Sequence, residues 1–242
     1  MMYGAATDIG RVRNLNEDNY AVSESAPFPF AIVADGMGGH KAGEKASLMA
    51  VETVCAQLAG TLTEDLNYVD AGEAARRAFI EANSSIYTYS KLHYKVMGMG
   101  TTATLAMLHS DKLITAHVGD SRAYIIDSNS ITQVTRDHSY VQELVMRGEI
   151  TPEQAKHHPN KNYITRAMGA EEAIKVDIGI RPYNGEKVLL CSDGLTNMLD
   201  DDEILEIINK CSDLQTAAET LIKRANEAGG TDNITVVVLE RE

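Results

Sequence analysis

Tryptophan is absent from this chain, and the 44% of its residues that are hydrophobic are mainly aliphatic, an ordinary content for a globular protein. No apolar run approaches the roughly 20 residues that cross a bilayer, and the N-terminus lacks the basic-then-apolar order of a secretory signal. The expectation is a cytoplasmic protein with no membrane partner. Basic charge is also short: the net charge is −13, which argues against nucleic acid as a partner because phosphate backbones demand a basic face. Most of this excess reads as a solvated acidic surface. Thiols are few. Cys55, Cys191 and Cys211 are odd in number and show no C-x-x-C spacing, which points to reduced, mostly packed side chains. No arginine lies six residues after any of them, so a cysteine-nucleophile phosphate loop is excluded.

What is present is a chain of 242 residues, long enough for one large domain with a real core, without repeats or long linkers. Strand-like runs occur at Tyr3–Thr7, Asn19–Ser23, Phe28–Ala34, Thr101–Leu108, Leu113–Val118, Arg122–Ile126, Ile174–Ile180, Lys187–Cys191 and Asn233–Leu239. Helical spacing of i, i+3, i+4, i+7 carries Val51, Val54, Cys55 and Leu58, and a second stripe carries Ala75, Ala78, Phe79, Ala82 and Ile86. Two more helices are predicted over Glu203–Asn209 and Leu214–Ala228, the latter stopped by Gly229-Gly230. Between Asp137 and Gly169 the apolar spacing is irregular, as for short helices and exposed loop. Tight turns between neighbouring strands imply antiparallel pairing, so the pattern alone indicates an α+β fold.

Three aspartates recur at the ends of these runs: Asp35-Gly36 after Phe28–Ala34, Ser192-Asp193-Gly194 after Val188–Cys191, and Thr231-Asp232-Asn233 before Ile234–Val238. Carboxylates at three strand ends can converge at one edge of a sheet core, and hard oxygen ligands suit Mg²⁺ or Mn²⁺ rather than Zn²⁺. These turns belong to a longer series. It begins with Thr7-Asp8-Ile9-Gly10-Arg11-Val12-Arg13, Asn16-Glu17-Asp18 and Val33-Ala34-Asp35-Gly36-Met37-Gly38-Gly39-His40. It continues with Gly98-Met99-Gly100-Thr101-Thr102-Ala103 and His117-Val118-Gly119-Asp120-Ser121-Arg122, then Ser192–Leu195 and Gly230–Thr235. In this order the motifs, spread over nearly the whole chain, resemble the bacterial metal-dependent serine/threonine protein phosphatases of type 2C.

That resemblance implies a four-layer α-β-β-α sandwich of two antiparallel sheets flanked by helix pairs, in a single catalytic domain over residues 1–242. It also implies a variable flap over about residues 139–166. It implies two tightly bound Mn²⁺ or Mg²⁺ ions and a weaker third. Asp35 would span the first two ions, with the Gly36 carbonyl on the second and a glycine there to free the backbone. Asp193 and Asp232 would complete the ligands of the first ion, Glu17 and Asp18 would stand near the second ion, and Asp120 with Asp193 would hold the third. Arg13 would fork onto the substrate phosphate, as guanidinium geometry allows.

Each residue also has a plainer reading. Asp-Gly is an ordinary turn in isolation, Asp193 and Asp232 could be turn residues, Glu17 a surface carboxylate, Asp120 a hairpin residue and Arg13 a solvated charge like Arg11. The general acid stays open between His40 and water, since many relatives carry histidine where this chain has Met37. Asp200-Asp201-Asp202-Glu203 reads as a helix cap rather than a metal site, and His157-His158 as exposed loop.

The implied reaction is direct attack of a metal-bridging hydroxide on phosphoserine or phosphothreonine proteins without a phosphoenzyme. The implied partners are kinase substrates and a cognate Ser/Thr kinase, and a monomer is expected. The alternatives are a dedicated phosphatase of an anti-anti-sigma factor or small phosphoester, and a non-catalytic module on the same scaffold.

Overall fold

The computed structural model describes residues 1–38 and 42–241. In chain order its elements begin with β1 (Met2–Asp8), β2 (Asp18–Ser23), β3 (Phe30–Met37), α1 (Ala42–Thr61) and α2 (Tyr68–Leu92). There follow β4 (Gly100–Thr101), β5 (Ala103–His109), β6 (Lys112–Val118), β7 (Arg122–Ile126), β8 (Ile131–Gln133), α3 (Tyr140–Met146) and α4 (Pro152–Lys156). The chain closes with β9 (Asp177–Pro182), β10 (Lys187–Cys191), α5 (Asp193–Thr196), α6 (Asp201–Lys210), α7 (Leu214–Glu227) and β11 (Ile234–Glu240). The strands form two antiparallel sheets, ordered β1-β11-β10-β7-β8 and β2-β3-β5-β6-β9, with β4 paired to the end of β3.

Alternation along each strand builds the layers. On β3, Phe30, Ile32 and Ala34 pack under α1 and α2, while Ala31 and Val33 face the other sheet. On β11, Ile234, Val236 and Val238 pack under α5–α7, while Val237 and Leu239 face inward. Both faces of the central strands are therefore buried, which is why they read as continuous apolar runs rather than alternating ones. The four-layer α-β-β-α arrangement follows. Among the described residues no helix is long and apolar enough to cross a membrane.

Of the strand boundaries that differ from the pattern reading, two shape the core and the site. β3 does not end at Ala34 but runs through Asp35 and Gly36 to Met37, because Asp35 pairs with Asp18 on β2 and Gly36 with Thr101 on β4. The Asp-Gly pair is a strand segment, not a turn. β9 begins at Asp177 rather than Ile174, because Ile174 and Val176 pack into the α2 side of the core outside the ladder with β6. The short edge strand β8 has too few residues to show a period. The hairpin considered for Asp120 is not formed: β6 and β7 belong to different sheets, and Gly119-Asp120-Ser121 carries the chain between them.

Candidate metal centre

The expected residues meet where the ends of the two sheets adjoin. Asp35 lies near the end of β3, and Asp18 opens β2 directly across from it. Asp193 is the first residue of α5, immediately after β10, and Asp232 precedes β11. Asp120 sits buried in the β6–β7 crossing, and Glu17 precedes β2. His40 falls among residues 39–41, outside the described residues.

Each carboxylate is placed by specific bonds. Asp18 Oδ2 accepts hydrogen bonds from Ser192 Oγ and Thr235 Oγ1, both at 2.7 Å, which ties β2 to β10 and β11 in the facing sheet. The Asp35 backbone N–H donates to Thr102 Oγ1 at 2.9 Å, its carbonyl accepts from Thr102 N at 2.9 Å, and Thr102 in turn bonds Ser121 beside Asp120. Asp193 Oδ2 accepts from Asn197 Nδ2 at 2.9 Å one helical turn on, and Asn197 Oδ1 is reached at 3.4 Å by Lys161. Asn233 staples the segment between β1 and β2. Its Nδ2 donates to the carbonyls of Ile9 and Leu15, and its Oδ1 accepts from Glu17 N. That staple sets the course of the loop bearing Arg13, whose Nη2 donates to Asp232 Oδ2 at 2.7 Å.

The reason for a glycine at position 36 differs from the one expected. Its φ is not in the left-handed region; instead a β-carbon there would lie 2.1 Å from the Gly43 carbonyl oxygen and 2.6 Å from that of Glu17. Close approach of α1 and the Glu17 segment, not backbone freedom, requires the glycine. Gly194 is similar, with the Asn233 carbonyl oxygen 2.0 Å from where a β-carbon would stand.

The electrostatics are those of crowded, dehydrated carboxyls. Burial, and then the charges of Asp18, Asp193, Asp120 and Asp232, hold Asp35 well above the usual carboxylate range. Burial lifts Asp18 to about 7 against the pull of its two hydroxyl donors, and lifts Asp193 to about 6 with help from Asp232. Asp120 is likewise raised well above its ordinary value by burial and by Asp193, and Glu17 is raised by burial. Partial burial works against the Arg13 charge, but its bond to Asp232 and the fields of Asp35 and Glu17 raise its pKa.

Four buried carboxylate oxygens have no hydrogen-bond partner among the described residues: Glu17 Oε1, Asp18 Oδ1, Asp120 Oδ1 and Asp193 Oδ1. Buried oxygens without donors are costly. Four of them, on the β1–β2 segment, β2, the β6–β7 crossing and α5, form an anionic donor set that fits hard divalent cations. Among the described residues no three of these side chains close around one point in ligand geometry, so the fit rests on the partnerless oxygens rather than on a preformed cage.

The acidic run before α6 and His157 keep their plainer reading, while His158 is half-buried. Asp200 caps α6, accepting from Glu203 N at 2.9 Å, and His157 is exposed at the end of α4. Ser192, Thr235, Thr102 and Asn233 were visible only as motif letters and Asn197 lay outside the motifs; nothing local distinguishes a hydroxyl or amide that will hold a buried carboxylate from one that caps a turn.

Residues 11–233 match the model of the protein phosphatase 2C family. The chain is 42% identical to the serine/threonine phosphatase stp of Listeria monocytogenes over 98% of its own length and 94% of that protein. Its fold superposes on the crystal structure of the serine/threonine phosphatase Stp1 from Staphylococcus aureus with a TM-score of 0.94 at 34% identity, covering 100% of this chain and 96% of that one. It also superposes on the catalytic domain of the serine/threonine protein phosphatase PstP in complex with two manganese ions, with a TM-score of 0.84 at 35% identity, covering 98% and 96%.

Proposed function

This chain belongs to the protein phosphatase 2C family, and from that premise we propose that it is a Mn²⁺- or Mg²⁺-dependent phosphatase of phosphoserine and phosphothreonine proteins. The observation that carries the metal assignment is the set of four partnerless buried carboxylate oxygens. Asp35, the Gly36 carbonyl, Asp193 and Asp232 would hold two ions, Glu17 and Asp18 would flank the second, and Asp120 with Asp193 would take a weaker third. Divalent ions held there neutralise phosphoryl oxygens and acidify a water.

The chain's own groups do the rest. Arg13 is half exposed, and only its Nη2 is engaged among the described residues, so the rest of its guanidinium is free to take two phosphate oxygens. As the bond from phosphorus to the water oxygen forms, the bond to the seryl or threonyl oxygen breaks, and that oxygen takes up a proton from His40 or from water. Inorganic phosphate and the free hydroxyl are the products, and no bond to the enzyme forms. His117 is unsuited as the acid: burial pushes it down to about 4, and both its ring nitrogens are engaged, with Thr104 and the Arg136 carbonyl.

Residues 139–166 act as a flap in a single catalytic domain over 1–242, a reading supported by the contact of Lys161 with Asn197 beside Asp193. The enzyme works as a cytoplasmic monomer that reverses the action of a cognate Ser/Thr kinase.

The test is hydrolysis of p-nitrophenyl phosphate by the purified chain. Turnover is expected with Mn²⁺ or Mg²⁺ and should vanish in EDTA. Full activity in EDTA, or activity restored by Zn²⁺ alone, would sink the oxygen-ligated reading.

A further inference from the structure

From Ala82 to Ser110 the chain contains no aspartate or glutamate, although the molecule as a whole carries −13. The surface part of this stretch is the C-terminal end of α2 and the turn after it. Leu92 is 74% exposed, Tyr94 81% and Met97 64%, and Lys91 and Lys95 beside them are exposed. Cations and rings are interleaved here. Lys91 Nζ lies 5.0 Å from the Tyr87 ring centre, and Lys45 of α1 reaches within 5.6 Å of Tyr89, whose ring stacks on His93 at 3.9 Å. None of these three lysines is in an ion pair with a described residue.

The patch is continuous with the candidate metal centre. Gly98 N donates to Ser90 Oγ at 2.9 Å and Met99 N to the Val96 carbonyl at 3.1 Å, which folds the turn back onto α2. Gly38, three residues past Asp35, packs so closely that a β-carbon there would lie 3.0 Å from Met99 Cα. Gly100 and Thr101 then pair with Met37 and Gly36.

We propose that this face binds the stretch of phosphoprotein flanking the phosphorylated residue and selects stretches that are acidic and carry an apolar side chain. The proposal rests on the phosphatase reading above. An acidic substrate approaching a molecule of charge −13 is repelled over most of its surface, and these lysines, in no ion pair with a described residue, are where the potential becomes complementary. Exposed Leu92, Tyr94 and Met97 supply the apolar and aromatic anchors typical of recognition surfaces. An extended peptide advances about 3.3 Å per residue, so side chains placed roughly three to six residues from the phosphoserine sample the surface about 10–20 Å from the site.

The experiment compares two synthetic phosphoserine peptides of equal length, one with glutamates and a leucine at those positions, the other with lysines and alanine. Both are assayed with Mn²⁺ on the wild type and on the Tyr94→Ala/Lys95→Glu double variant, with p-nitrophenyl phosphate as the substrate that has no flanking segment. The wild type should show at least a tenfold lower KM for the acidic peptide. In the variant that KM should rise at least fivefold, with kcat and p-nitrophenyl phosphate turnover unchanged. Equal KM values for wild type and variant on the acidic peptide would overturn the docking face while leaving the phosphatase reading intact. Absence of p-nitrophenyl phosphate turnover in both proteins would overturn both. A wild-type dimer in sedimentation that the variant abolishes, with KM unchanged, would assign the face to a second copy instead.

Discussion

Burying Asp35, where Asp18, Asp193, Asp120 and Asp232 raise its pKa further, crowds a carboxyl among like charges. The same crowding makes the site a cation trap, so stability and turnover should respond to Asp35 in opposite directions. Asp35→Asn removes one charge from the cluster. Melting in EDTA at neutral pH should shift upward, because a neutral amide escapes the burial and the like charges that disfavour the carboxylate. With Mn²⁺ the same variant should lose at least tenfold in kcat, about 1.4 kcal/mol in barrier. Asp202→Asn, on the exposed first turn of α6, is the control and should move neither. A fully active Asp35→Asn protein would remove this residue from the metal assignment.

At the scale of elements, the meeting of β3, α1 and the Glu17 segment depends on backbones that touch. The nearest atoms to a β-carbon at Gly36 would be backbone atoms of Gly43 and Glu17, and backbone cannot rotate away as a side chain can. Gly36→Ala should therefore cost about 1–3 kcal/mol, the usual range for forced overpacking. Gly60, in the last turn of α1, has nothing within 4 Å of the equivalent position. Gly60→Ala should instead stabilise by several tenths of a kcal/mol, roughly the helix-propensity difference. Urea denaturation of the two variants checks the pair, and equal effects of the same sign would show that close approach at Gly36 does not govern this junction.

The whole molecule's stability should depend on pH through the same cluster. Asp18 moves from 3.8 to about 7 and Asp193 from 3.8 to about 6 on folding. Because these values are raised, their contribution is full below about pH 4 and is lost as pH rises through the folded values. In EDTA the melting temperature should fall between pH 5 and pH 8. Saturating Mn²⁺ should flatten that fall, since a bound cation takes the place of the protons and releases them. Asp18→Asn should reduce the slope without metal. Melting curves across that range test this, and an identical slope with EDTA and with Mn²⁺ would separate these carboxyls from cation binding.

Local order was written in the sequence. The 3.6-residue stripes of α1, α2 and α7, the doubly buried runs of β3, β10 and β11, the Asp200 cap and the Gly229-Gly230 stop each depend on neighbours a few residues away. The motif aspartates were legible for the same reason, as letters at the ends of apolar runs. Which sheet each strand joins was decided only by tertiary structure: β6 and β7 are consecutive, yet lie in different sheets. So were the continuation of β3 through Asp35-Gly36 and the reason for glycine at position 36. The state of Asp18 is the clearest case, since its carboxylate is held by Ser192 and Thr235, 174 and 217 residues away. A pattern read along the chain reports the burial of a side chain. The pKa and partners of a buried acid depend on groups that only packing brings within 3 Å.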